Sequence, residues 1–117
     1  MPSNNKYDLE DRTFLFTQNV RDYVNDLPGK ITGFEIGKQL MRSAGSVGAN
    51  YIEANESLSK KDFLMRIKIC RKEAKETKYW LRLTKPKNGF ADLKSHLLNE
   101  SEELMKIFGA ILQKTKV

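Results

Sequence analysis

The sequence predicts an all-α fold: an up-down-up-down antiparallel four-helix bundle. Three observations lead there. Four long stretches carry apolar residues at spacings of three and four, the period of a helix with one buried face. The breaks between them, Pro28-Gly29, Ser57-Leu58 and Lys85 to Gly89, are short, which favours antiparallel neighbours. No segment shows the alternation of a half-buried strand.

Residues 1–7 are polar and read as a disordered tail, leaving residues 8–117 as one bundle domain. The first helix is predicted from about Asp8 to Leu27, with Leu9, Thr13, Phe16, Val20, Val24 and Leu27 as its stripe. Phe14 and Leu15 lie off that stripe and imply additional burial. The second helix is predicted from about Thr32 to Glu56, on Ile36, Leu40, Ala44, Val47, Tyr51 and Ala54. Beside that stripe runs another, Phe34, Gly37, Met41, Gly45, Gly48 and Ile52. Glycine costs about 1 kcal/mol against alanine inside a helix, so three on one stripe ask for a reason. Close approach of another backbone, from the same chain or another subunit, is one; a kink near Gly45 is the other.

The third helix is predicted within residues 59–85. Ser59 is a good N-cap with Asp62 three residues on, and Lys85-Pro86 stops the helix. Phe63, Ile67, Cys70, Ala74, Thr77 and Leu81 form its core stripe. At roughly 100° per residue, Lys61, Lys68, Arg71, Lys75, Lys78 and Arg82 fall on one flank, with Leu64 among them. The other flank carries Met65, Ile69, Trp80 and Leu83, mixed with acids. The fourth helix is predicted from about Ala91 to Lys114, on Leu93, Leu97, Leu104, Phe108 and Ile111, broadened by Leu98, Met105 and Leu112.

Charge is localised. The 117 residues carry a formal net charge of +6, yet residues 60–87 hold 11 Lys or Arg against 3 Asp or Glu. Such a surface attracts nucleic acid, an anionic membrane or an acidic protein, and it is equally compatible with a merely solvated face. Tyr79, at the edge of the basic flank, is either a half-buried tyrosine or a platform for an unpaired base. The single cysteine excludes an intrachain disulfide and suits a buried thiol in a reducing cytoplasm. An apolar leader and a membrane-length apolar run are both absent from the sequence, so a cytoplasmic protein is expected.

Chemistry is sparse. One histidine, His96, and one cysteine, Cys70, form a dyad only if the fold unites them, and Cys70 lies on the core stripe. The Glu-x-x-His pair of di-metal bundles is missing, and the Cys/His supply is too small for a zinc site. Gly33 to Lys38 lacks P-loop spacing, and Gly45-Ser46-Val47-Gly48 lacks a nucleophile elbow. Neither a cofactor nor a metal is expected, and no enzymatic activity. A site assembled between subunits around Glu53 or Glu56 is the enzymatic alternative.

Two stretches carry a family resemblance. RSAGSVGANYIEANES, residues 42–57, and RIKICRKEAKETKYWLRL, residues 66–83, resemble the small four-helix-bundle proteins first noticed in intervening sequences of bacterial 23S ribosomal RNA genes. Ser46, Ala49, Asn50 and Glu53 match that family's second-helix signature; Glu73 to Thr77 and Tyr79-Trp80-Leu81 match its third helix. The resemblance implies a four-helix bundle and a ring-like homo-oligomer, most simply a pentamer, without an established enzyme activity. Accessory proteins of diversity-generating retroelements are similar and bind nucleic acid and a reverse transcriptase through basic surfaces.

The residues and the resemblance together make three expectations. Lys61, Lys68, Arg71, Lys75, Lys78 and Arg82 are the candidate nucleic-acid surface, with structured RNA as ligand. Met65, Ile69, Trp80, Leu83, Gly45 and Gly48 are the candidate subunit interface. The alternative is a protein-interaction scaffold whose basic face meets an acidic partner.

Overall fold

The computed structural model describes residues 8–115; the expected tail at 1–7 lies outside the described residues. Four helices follow one another: α1 (Leu9–Asn25), α2 (Ile31–Asn55), α3 (Lys60–Leu83) and α4 (Ala91–Thr115). They pack as an all-α four-helix bundle, most extensively α2 on α3 and α3 on α4, and least where α4 returns to α1. The molecule measures 46 × 28 × 20 Å, its length set by helices of 24 and 25 residues at about 1.5 Å per residue.

The helix ends have local causes. The Asp8 carboxylate accepts from the Asp11 amide at 2.8 Å, and the Ser59 hydroxyl from the Asp62 amide at 3.1 Å. Each satisfies one of the free N–H groups at a helix start. The third helix stops at Leu83, two residues before the predicted limit. Thr84 is extended there, and its hydroxyl donates to the Leu81 carbonyl at 2.6 Å. That proton is then committed, so the buried Tyr23 hydroxyl, 2.6 Å away, donates to Thr84 Oγ1. A core residue of α1 thereby fixes the end of α3. In the following loop the Phe90 amide bonds to the Lys87 carbonyl across Gly89, whose φ of 93° is one that favours glycine.

Phe16 and Val20 of α1, Leu40 and Val47 of α2, Ile67 and Leu81 of α3, and Leu97, Leu104 and Phe108 of α4 fill the core. Tyr51 packs its ring 6.1 Å from that of Phe108. Small residues line the α2–α3 seam: Ser43 and Ala44 on one side, Ala74 and Thr77 on the other, all fully buried. Thr77 donates to the Glu73 carbonyl at 2.7 Å and lies 2.9 Å from Ser43 Oγ. Among the described residues no buried side-chain nitrogen or oxygen lacks a partner.

Phe14 and Leu15 do not gain the additional burial expected of them. Their exposures are 65% and 40%, because α1 turns Thr13, Phe16, Val20 and Tyr23 into the core and leaves both neighbours outside it.

Candidate functional site

On α3, successive helical turns set Lys68, Arg71, Lys72 and Lys75 side by side, all exposed. They rim a groove between α3 and α4 whose floor is Leu64, Met105, Gly109 and Leu112, with Gln113 at its edge. A Cβ added at Gly109 would lie 3.9 Å from Arg71 Nε, so the guanidinium lies across that glycine. Lys61 and Arg82 extend the basic row beyond the groove, exposed at either end of the helix. Among the described residues, Lys61, Lys68, Arg71, Lys72, Lys75 and Arg82 form no ion pair.

Lys78 behaves differently. Its ammonium reaches Glu102 of α4 at 2.5 Å. That hydrogen bond, with the charge of Lys78 behind it, holds the Glu102 carboxyl below the usual carboxylate range. Lys78 is therefore occupied within the chain. Tyr79 is 56% exposed rather than half-buried, and its ring meets Trp80 edge-on, centroids 5.1 Å apart and planes at 76°.

Glu73 and Glu76 of α3 lie on the side facing α2. Glu73 and Glu76 both meet Arg42, Glu73 at 3.4 Å, and Glu76 also accepts from Trp80 Nε1 at 2.9 Å. About two turns further along, Arg66 donates to Asn50 Oδ1 at 2.9 Å while Asn50 donates to the Ser46 carbonyl at 2.9 Å. Arg42, together with Ser46 and Asn50 of the second-helix signature, is thus engaged in α2–α3 packing. Ala49 and Glu53 of the same signature are exposed.

The residues expected at a subunit interface divide. Met65 and Leu83 are each 48% exposed; Ile69 and Trp80 are half-buried. Gly45 has open space where a Cβ would stand, but at Gly48 that Cβ would meet Thr13 Oγ1 of the same chain at 3.3 Å. The close backbone approach at Gly48 is therefore α1 on α2. Sequence reasoning did not name Ile31 (83% exposed), took Leu58 (99%) only as part of a connection, and read Phe34 (66%) and Ile52 (48%) only as part of a stripe. It also passed over Lys72, although Lys68 four residues before and Lys75 three after place it in the same row. Gly109 carried no signal until the helix pairing was known, and Met105 and Leu112 read only as part of the α4 stripe.

The sparse reactive groups stay apart. Cys70 is fully buried, its Sγ 3.4 Å from the Val47 carbonyl at the α2–α3 seam. Burial pushes its thiol up to about 12. His96 is exposed in a shallow cleft between α1 and α4, beside Arg12 and Glu100. Arg12 and Glu100 close that seam with a two-pronged pair at 2.7 and 2.8 Å, which raises the arginine pKa further. Among the described residues no cluster of three or more His, Cys, Asp or Glu is placed to hold a metal ion. No helix among them is long and apolar enough to cross a membrane.

The geometry defines a small antiparallel four-helix bundle whose distinctive features are surfaces: a basic groove on α3–α4 and exposed apolar side chains on α1, α2 and α3. The chain belongs to the 23S rRNA-intervening sequence protein family, whose profile matches residues 5–110. Its fold is similar to the crystal structure of a protein of unknown function from the S23 ribosomal protein family of Bacteroides thetaiotaomicron VPI-5482. The two share 28% identity and a TM-score of 0.77, over 90% of this chain and 98% of that one. No curated protein matches the chain.

Proposed function

We propose that this chain is a non-enzymatic, homo-oligomeric bundle of the cell interior that binds nucleic acid, structured RNA above all, through the basic row of α3. The observation that carries the reading is that Lys68, Arg71, Lys72 and Lys75 stand together on that row with no ion pair among the described residues. Lys68–Arg71, Lys68–Lys72, Arg71–Lys75 and Lys72–Lys75 are like-charge neighbours at helical spacings of three and four. Each such pair destabilises a helix by about 0.2–0.5 kcal/mol. A face selected only for solubility mixes signs; a row of cations left unpaired is suited to phosphates brought by a ligand.

The test is charge reversal. The Lys68→Glu/Arg71→Glu/Lys75→Glu variant is expected to lose RNA binding, and any residual affinity should depend less on salt, the log–log slope flattening by about two to three. Unchanged affinity and slope would sink the reading.

One observation supports a second reading, a scaffold for an acidic protein. The Lys78–Glu102 pair is a carboxylate already seated on this row. A protein partner retained after nuclease treatment, and released by the same three reversals, favours that reading over RNA.

A further inference from the structure

The groove beside the basic row is more specific than a positively charged surface, and it sharpens the nucleic-acid reading on which it rests. We infer that it takes an unpaired nucleotide segment, such as a loop, bulge or free strand of RNA, and not the flank of a duplex.

The floor argues this first. Leu64, Met105 and Leu112 are partly buried and apolar, and Gly109 opens a gap among them. A duplex turns its phosphates and sugars outward and keeps its bases stacked inside. It would touch only the lysine tips and leave an apolar floor in water. An unpaired strand has both parts the groove needs, a flat apolar base for the floor and a phosphate for the rim.

The planar groups argue it next. The Arg71 guanidinium lies across Gly109, at the edge of the floor. Tyr79 is exposed one turn past Lys75, and its ring meets Trp80 edge-on. Bases stack on guanidinium and tyrosine faces without regard to identity. From Lys68 to Tyr79 the helix rises about 16 Å, room for a few nucleotides. An acidic peptide would match the charge and pair with the edge of the Arg71 guanidinium, but it leaves the guanidinium and Tyr79 faces unused, and a floor of three apolar side chains is short for the apolar face of a helix.

Two substitutions separate this from charge alone. Gly109→Leu fills the floor without changing the net charge; the atoms nearest a Cβ there belong to the flexible Arg71 guanidinium, at 3.9 Å, which shifts to admit it. Tyr79→Ala removes an exposed ring and keeps the test available if Gly109→Leu folds poorly by circular dichroism. The probes are a labelled adenine oligoribonucleotide of about ten residues and a blunt RNA duplex of the same length, read by fluorescence anisotropy. The intact protein is expected to bind the single strand at least tenfold more tightly than the duplex. Each substitution should weaken single-strand binding about five- to a hundredfold and leave duplex binding unchanged.

Equal affinity for the two probes, or no effect of either substitution, overturns the inference. If the Lys68→Glu/Arg71→Glu/Lys75→Glu variant still abolished binding in that case, the broader nucleic-acid reading would stand without it. Failure of both RNA probes at low salt, with an oligoglutamate peptide bound instead, would overturn both in favour of an acidic protein partner.

Discussion

At Cys70 the thiol lies fully buried between α2 and α3, with only the Val47 carbonyl as a weak partner. Burial disfavours the thiolate, so the folded-state pKa rises from 9.0 to about 12. In the folded chain this sulfur is a small apolar filler, not a nucleophile. The shift also fixes a sign. The folded state holds the proton that the unfolded chain releases from about pH 9, so the contribution is complete below that pH and falls away toward pH 12. Burial raises Tyr23 and Tyr51 above 10.0 and acts in the same direction at higher pH. Urea unfolding at pH 8, 9 and about 10 is therefore expected to show falling stability in the native chain and a flatter profile in Cys70→Ala. The slope against pH is the readout, since the substitution also lowers stability by removing packing. Parallel profiles would show that the buried thiol is not the titrating group.

Within α3 the two long flanks follow opposite rules. Toward α2, Glu73 and Glu76 meet Arg42, and opposite charges hold the seam. Toward α4, Lys68, Arg71, Lys72 and Lys75 crowd one another with no acid among them, and Lys78 beyond them meets Glu102. Lys72→Glu changes this locally, giving a carboxylate four residues after Lys68 and three before Lys75. It relieves two repulsions and makes two pairs but also puts a carboxylate in place of a lysine four residues before Glu76, so unfolding stability is expected to rise by only about 0.5 kcal/mol, while RNA affinity falls. A stability gain without an affinity loss would show that this row is only solvated. The sequence made the stripes and the one-sided charge legible because both are properties of one helix, read from spacing alone. What depended on a partner helix was not legible. Gly45 and Gly48 look equivalent in the sequence, yet one faces open space and the other faces Thr13 of α1. Phe14 reads as an additional core residue because apolarity does not say which way a side chain points, and the structure leaves it 65% exposed. The groove floor needed residues from two helices, so Gly109 carried no meaning until α3 and α4 were paired.

Across the whole molecule, the two kinds of surface occupy different seams. The basic groove lies between α3 and α4, whereas Phe14 of α1 and Gly45, Gly48 and Ile52 of α2 line a cleft on the other side of the chain order. Met65, also exposed, follows on α3 just past the α2–α3 turn. Subunits joined through such an apolar face would leave every groove open, so each copy would add a site to one assembly. Linked sites raise avidity by about 10²–10⁴ without any new contact. Phe14→Glu/Ile52→Glu is the direct test. Both side chains are at least 48% exposed, so the folded bundle should keep its helicity while light-scattering mass drops to that of one chain. Affinity for a long RNA should then fall by at least tenfold, whereas affinity for a short oligonucleotide that fills one groove should hold. A multimer that survives both substitutions would place the interface elsewhere on the bundle. A monomer with full affinity for long RNA would show that one groove suffices and that assembly serves some other end.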